Sequence, residues 1–455
     1  MPAEITKEFI ELIEDAIERQ DPEFIVSRMQ EMYPADITTV LYELNAEQSK
    51  YVLDLLDPEV GAEILSGLDS DIRTNFLKTF QSEEIAQYVN LMESDDAVDI
   101  LNEQKVQTRE EIISFLDNEE KAADIIDLLH YEEDSAGGLM AKEFIQVNVN
   151  WQVRQCIEEI RRQAENVEKI YTIYVVDDKD RLVGRIGMKT LILSNDDTPI
   201  SELIDKEIIS IETYKKDTEV VDVMQKYDLE AIPVVNSQGK LMGRITIDDV
   251  VDVIQEQAET SMQLMSGISE DVEEDDSIFR LTRARLPWLI IAMIGGLVGA
   301  RFINLFETEI SIIPAMAMFT PLITATGGNV GIQSSSLIIQ TLASKTIIFD
   351  NLTQRILKVM LVAIVNALVI SSLVMGFNLL FNLEIRLSLV VSIALFSVVM
   401  LSSLMGTITP MILDRFGINP AVAAGPFITT ANDLLGLAVY FLVAQLLLDF
   451  SPLAG

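Results

Sequence analysis

The chain has 455 residues, a formal net charge of −39 and 49% hydrophobic residues, which is too long for one ordinary core and too acidic for a nucleic-acid partner. A single cysteine, Cys156, excludes an intrachain disulfide and a cysteine-rich metal site, and a single histidine, His130, excludes a histidine-pair zinc site. The charge is unevenly divided: from Leu286 onward six Lys/Arg meet seven Asp/Glu, so −38 of the −39 lies in the first 285 residues.

The opening stretch, MPAEITKEFIELIEDAIERQ, is acidic and amphipathic, unlike a secretory signal, and predicts a cytoplasmic front region. Residues 1–130 read as an all-α helical-repeat domain of short amphipathic helices in tandem. Cores such as PADITTVLYEL, EEIAQYVNLM and KAADIIDLL carry apolar residues three and four apart, with acids or proline at the starts.

Residues 131–246 change texture and repeat internally. Tyr174–Ile186 (YVVDDKDRLVGRI) and Pro233–Ile245 (PVVNSQGKLMGRI) match at an offset of 59, and each reads as a hairpin flanked by helical patterns. The pattern resembles a tandem pair of CBS domains, which implies an α/β regulatory unit that senses nucleotides or ions. Gly243, Thr246 and Asp249 resemble the CBS adenosine-phosphate motif, whereas the first copy has Gly187 and Thr190 at the matching places. Nucleotide, ATP included, is therefore expected at one site at most. The alternative role for Asp249 is a carboxylate opening a helix, where the dipole favours it.

Residues 247–279 read as a connecting helix, IDDVVDVIQEQAETSMQLM, followed by the acidic linker SEDVEEDDSIF. Residues 280–455 then hold long uncharged runs that predict a five-helix transmembrane bundle. Arg280, Arg283, Arg285, Lys345, Arg355, Lys358 and Arg415 flank one side and only Arg301 and Arg386 the other, which predicts a cytoplasmic N-terminus and an external C-terminus.

The second span contains PLITATGGNVGIQSSS, whose proline, three glycines and amides predict a break in mid-membrane. Small-residue helix packing is the alternative. The fifth span places Asp433 on one helical face with Thr429, Thr430 and Gly436. A mid-bilayer carboxylate costs roughly 2.5–3.5 kcal/mol, so it should face a pore or a partner. With threonine and asparagine oxygens beside it and no sulfur or imidazole, the site suits a hard cation. Magnesium keeps its waters and needs one or two carboxylates, although these ligands leave calcium and manganese open. A symmetric dimer would bring two copies of Asp433 to one axis. A sensor without transport and an intramembrane aspartyl enzyme acting as a dimer are rival readings; the sensor would not need a polar second span or an intramembrane carboxylate.

Several motifs together are similar to the MgtE family of magnesium channels and transporters: Arg283-Ala-Arg-Leu-Pro-Trp288, the Gly-Gly-Asn-x-Gly-x-Gln within Pro321–Gln333, Gly425-Pro-Phe-x-Thr-Thr-x-x-Asp433, and YEEDSAGGLM at residues 131–140. The resemblance implies a non-enzymatic, homodimeric Mg2+ importer in the cell membrane. Its axial pore would be lined by Asp433, Thr429 and Thr430, with Asn329 and Asn432 near them. It further implies that cytoplasmic Mg2+ closes the pore by binding near Glu63, Asp95, Asp99, Asp217, Asp228, Asp249, Asp252, Glu256 and Glu259. Where the family often has an acid, this chain reads Gly417-Ile-Asn419-Pro420, and Gln255 and Gln257 dilute the connecting helix. Independently of family, facing carboxylates within a Debye length of about 8 Å repel unless a cation intervenes.

Overall fold

The structure, a computed structural model, describes residues 5–164, 167, 169–269, 272, 276–343 and 352–448. Lys345 and the linker acids Glu270, Asp271, Glu273, Glu274 and Asp275 lie outside the described residues, as does the side chain of Arg355. The chain divides into two compact units, Met1–Ile254 and Gln255–Gly455.

The first unit opens with ten helices: α1 (Lys7–Glu18), α2 (Pro22–Met29), α3 (Pro34–Glu43), α4 (Ala46–Asp54), α5 (Pro58–Ser66), α6 (Ser70–Leu77), α7 (Ser82–Val89), α8 (Ser94–Asn102), α9 (Val106–Ser114) and α10 (Glu119–Leu128). Their starts follow sequence chemistry. Asp21 and Asp57 cap helices whose first residue is proline, and Asn45 with Gln48 closes a capping box. From α3 onward each helix packs on the one two along, up to α8 on α10, which gives a stack. Its seam is a row of fully buried side chains, among them Ile37, Ile64, Leu65, Val89, Ile100 and Ile125. Each such burial contributes about 1.5–3 kcal/mol.

Two small sheets follow. β1 (Ile145–Asn148) pairs parallel with β2 (Ile173–Val176), which pairs antiparallel with β3 (Leu182–Ile186); α11 (Val153–Gln163) lies between β1 and β2 in the chain. After α12 (Met188–Leu193) and α13 (Ile200–Leu203) the pattern recurs in β4 (Ile211–Glu212), β5 (Ala231–Val235) and β6 (Leu241–Thr246), with α14 (Asp217–Tyr227) between β4 and β5. The 59-residue offset holds in register: Val175 faces Gly184 as Val234 faces Gly243, and both hairpins shift register at the next residue. The copies are knitted together. Leu182 N donates to Gly239 O and Leu241 N to Asp180 O, and the free edges are exchanged, Ala141 pairing with Arg244 and Asp205 with Arg185. The helical stack and the second copy share one continuous core, from Ile10 through Met140 to Ile245 and Val253, whereas the first copy has its own around Cys156 and Val175. Helix α15 (Ile247–Met265) follows β6 directly.

The second unit holds α16 (Ile278–Asn304), α17 (Glu307–Ile312), α18 (Thr320–Ala343), α19 (Leu352–Leu380), α20 (Ile385–Arg415) and α21 (Pro426–Leu447). Short 3-10 turns at Pro314–Phe319 and Pro420–Ala423 precede α18 and α21. Helix α20 is the centre and packs against α18, α19 and α21, while α16 packs on α21. Among the described residues four segments are long and apolar enough to cross a membrane: Ile278–Asn304, Ile356–Leu380, Ile385–Arg415 and Pro420–Leu447. Helix α18 is long enough, about 36 Å at 1.5 Å per residue, but carries hydroxyls and amides throughout.

The predicted break in the second span does not occur: α18 is one continuous helix of 24 residues. Pro321 falls in its first turn, where a missing N–H costs nothing. The glycines serve packing instead, since a Cβ at Gly327, Gly328 or Gly331 would meet Val398, Thr429 or Asn432 within 3.2 Å. The surplus length of the span is taken up before Thr320 by α17 and the 3-10 turn.

Candidate cation site

The start of α21 is built for a sharp entry. Asn419 caps the preceding turn by accepting from Ala421 N at 2.9 Å, so this residue has a local structural task. Gly425 then admits the end of α15: its Cβ would lie 3.0 Å from Met265 O and 3.3 Å from Leu264 O. The next turns carry the threonines and Asp433.

Asp433 stands between two cavities. The larger, about 660 Å3, is lined by the small residues Gly295, Gly296 and Gly299 of α16 and by Thr429, Thr430, Asp433, Leu434 and Leu437 of α21. The smaller, about 390 Å3, is lined by Pro321, Thr324, Ala325, Gly328 and Asn329 of α18 with Thr429 and Asp433. No Lys or Arg lines either cavity. Of the predicted pore residues, then, Asp433, Thr429 and Asn329 meet in the smaller cavity, and Thr430 joins Thr429 and Asp433 in the larger.

Asn432, expected near the pore, and Gly436, expected on the face of Asp433, lie elsewhere. Asn432 is fully buried against Gly331 and lines neither cavity, because one residue along a helix turns the side chain by about 100°. Gly436 packs on Ile323 and Val398. Sequence reasoning missed the α16 side, where Gly295, Gly296 and Gly299 recur at helical spacing and open the wall opposite Thr430.

The acidic residues of the first unit fall into a concentrated group and scattered ones. Glu93, Asp95 and Asp96 at the start of α8 stand near Glu143, Asp248, Asp249 and Asp252, and each raises its neighbours' proton affinity. Burial pushes Glu93 up to about 7 against the pull of Arg244, and Asp96 up to about 6 against Arg73. Burial, with Asp249 next in effect, holds Asp95 well above the carboxylate range. Sequence reasoning passed over Glu93, Asp96 and Glu143, although Glu93 and Asp96 flank Asp95 within the stretch Glu93-Ser94-Asp95-Asp96.

Asp99, one turn farther along α8, is pushed up to about 7 by burial against the pull of Arg73, with Asp96 adding to the rise. The remaining residues are separated, and Glu63 is exposed on α5. Asp217 opens α14 and Asp228 ends it in a left-handed conformation, φ 50°, so about 16 Å of helix divides them. Glu256 and Glu259 lie farther along α15, in the second unit, where Gln255 donates to Glu259 at 3.0 Å. Among the described residues no three Asp, Glu, His or Cys side chains are gathered to hold a bare metal ion.

At the nucleotide motif, Asp249 accepts from both the backbone N–H and the hydroxyl of Thr246, each at 2.8 Å. Thr246 is thus the cap of α15 and Asp249 its third residue, half of a capping box. Gly243 is closed over by Met140 and Ala141 O.

Comparisons with known proteins agree along the chain. Residues 320–443 match the family described as a divalent cation transporter, 32–134 the MgtE intracellular N domain, and 136–194 and 200–256 the CBS domain. The magnesium transporter MgtE of Enterococcus faecalis is 34% identical over 332 residues, 73% of each chain. That of Thermus thermophilus is 33% identical over 72% of this chain and 73% of its own. The crystal structure of the cytosolic domain of the Mg2+ channel MgtE in complex with ATP shares 31% identity at a TM-score of 0.51, covering 54% of this chain and 99% of that one. The soluble part of a magnesium transporter matches at 28% identity and a TM-score of 0.50, over 55% and 99%. This chain belongs to the MgtE family of magnesium transporters.

Proposed function

We propose that the protein is a homodimeric, Mg2+-selective channel of the cell membrane that admits Mg2+ down its electrochemical gradient and closes when cytoplasmic Mg2+ is plentiful. The observation that carries the reading is Asp433, a carboxylate between two cavities with Thr429 and Asn329 beside it and no cationic side chain lining them. A lone carboxylate with neutral oxygens suits an ion that keeps most of its water. Asn329 and Gln333 lie exposed one turn apart on α18, a polar face that a second copy, with α18 as the fifth crossing, would enclose. A second surface supports the dimer. Met188, Ile192 and Leu193 on α12 are exposed, as are Ile247 and Val251 at the repeat-equivalent start of α15.

For closure, the crowded carboxylates of α8 and early α15 supply the sensor, with Asp95, Asp249 and Asp252 at its centre and Glu63, Asp99, Asp217, Asp228, Glu256 and Glu259 as outlying acids. Hydrated Mg2+ bridging such surfaces requires no preformed cage. ATP would take the second CBS copy at Gly243, Thr246 and Asp249, after Asp249 releases Thr246. The N-terminal and CBS domains are assigned to the cytoplasm and the C-terminus to the outside, the side that leaves most flanking Arg and Lys within.

The test is a flux assay in proteoliposomes comparing Mg2+, Ca2+ and Mn2+ with internal Mg2+ varied. Asp433→Ala should abolish Mg2+ uptake while the dimer stays assembled; uptake at the unsubstituted rate would sink the pore assignment. Neutralising Asp249, Asp252, Glu256 and Glu259 together should preserve uptake and remove inhibition by internal Mg2+.

A further inference from the structure

Helices α18 and α21 meet along two neighbouring rows of residues. In one row Gly328 faces Thr429 and Asp433, with room for the smaller cavity beside Asn329. In the adjoining row Gly327 and Gly331 face Ile428 and Asn432, and there the helices are in tight contact. A Cβ on Gly331 would lie 1.9 Å from Nδ2 of Asn432, and one on Gly327 would lie 3.6 Å from Asn432 O and 3.3 Å from Ser402 Oγ. The closed row therefore runs directly beside the open one. Because α-helices pack as stiff ridges, the separation along one row fixes the separation along the next.

Asn432 is an unusual side chain for that contact. It is 0% exposed, and neither its amide oxygen nor its amide nitrogen has a hydrogen-bond partner within the protein. A purely apolar seam would do the packing without a buried amide. The α20 side of the junction is polar as well: Ser402 Oγ lies beside Gly327, Ser403 shares a 3.2 Å hydrogen bond with Ser334 of α18, and buried Thr407 donates to Ser403 O.

We propose that Asn432 is a positioning residue for the carboxylate that follows it: its amide, seated on Gly331 at the α18–α20–α21 junction beside that polar seam, sets the distance between Asp433 and Asn329. The inference rests on the reading of Asp433 as the ion site and assigns Asn432 no contact with the ion.

The experiment uses the full-length chain in proteoliposomes, reading half-saturating Mg2+ and maximal flux per assembled protein. Asn432→Leu keeps the branched shape, with bulkier methyl groups, and removes the amide; it should raise half-saturating Mg2+ about tenfold and narrow the preference for Mg2+ over Ca2+. Asn432→Ser, which keeps a polar group at the junction without the bulk of leucine, should recover most of the affinity. Gly331→Ala should fail in the same way, and adding Asn432→Ala should bring the double variant back to within about threefold of Asn432→Ala alone. An unchanged half-saturation in Asn432→Leu, with only fewer assembled molecules, overturns the proposal, as does a double variant no better than Gly331→Ala. Asp433→Ala is measured beside them. Normal flux there overturns the pore assignment, whereas loss of flux there with an unchanged Asn432→Leu affinity overturns the positioning role alone.

Discussion

Arg244 on β6 donates to Glu93 at the head of α8 across 2.6 Å, joining residues 151 positions apart. The guanidinium is almost wholly buried, also donates to Glu143 O, and lies 5.1 Å from the centre of the Tyr171 ring. This pair pins the helical stack to the second CBS copy without any metal. Removing one partner of a buried pair costs about 3–5 kcal/mol. Arg244→Ala should therefore free the stack from the CBS pair even in saturating Mg2+, seen as faster proteolysis near residues 130–144. Unchanged cleavage would mean that the shared apolar core alone holds the two together.

The crowded acids make docking depend on pH in a calculable direction. Glu93 near 7 and Asp96 and Asp249 near 6 all lie above the roughly 4 of an unfolded carboxyl. The folded state thus binds more protons than the unfolded one, and stability falls as pH rises from about 4 through 7. In chelator, the melting temperature should drop between pH 5 and pH 8. Mg2+ should flatten the profile by replacing protons as the neutralising charge. A melting temperature that rises with pH in chelator would contradict the burial of these groups.

Gly267 has φ +80°, and a Cβ there would lie 2.8 Å from the Pro426 ring that opens α21. Gly267→Ala combines left-handed strain with that clash, each on the order of 1–2 kcal/mol. The end of α15 should be displaced from α21, and Mg2+ inhibition of flux should shift to higher concentration, with Asp433-dependent conductance retained. An inhibition curve identical to that of the unsubstituted chain would show that this joint transmits nothing.

Thr246→Val removes the hydroxyl that Asp249 accepts from but keeps the backbone N–H bond. The cap should weaken by about 1 kcal/mol. If ATP occupies this copy, 100 times its dissociation constant stabilises the protein by about 2.7 kcal/mol, and Asp249→Ala should erase that gain. Thermal shift with and without ATP reads both effects, and full stabilisation in Asp249→Ala would place the nucleotide elsewhere.

The parts of the fold that sequence reveals are those governed by local chemistry. The hairpins were legible because strand alternation and turns at Asp180 and Gly239, both at positive φ, are written within a dozen residues. Helix starts were legible at Asp21-Pro22 and Asp57-Pro58. The continuity of α18 was not legible because glycine's intrinsic cost is local, whereas its benefit, close approach to α20 and α21, depends on partners about seventy to a hundred residues away. Asp433, Thr429 and Asn329 could be singled out as polar groups in apolar runs. The turning away of Asn432 could not, since which flank of Asp433 meets α18 is decided by packing. The Arg244–Glu93 pair was invisible for the same reason: nothing in either segment names the other.

The exchanged edges of the CBS pair carry a consequence for how the chain acquires its shape. Arg185 of the first hairpin is paired by Asp205, which leads into the second copy, while Arg244 of the second is paired by Ala141, which leads into the first. Neither hairpin is complete until the other's approach strand has arrived. During synthesis the Arg185 edge of the first hairpin therefore stays unpaired until Asp205 has been made. Loosening either copy therefore bares an edge of its twin.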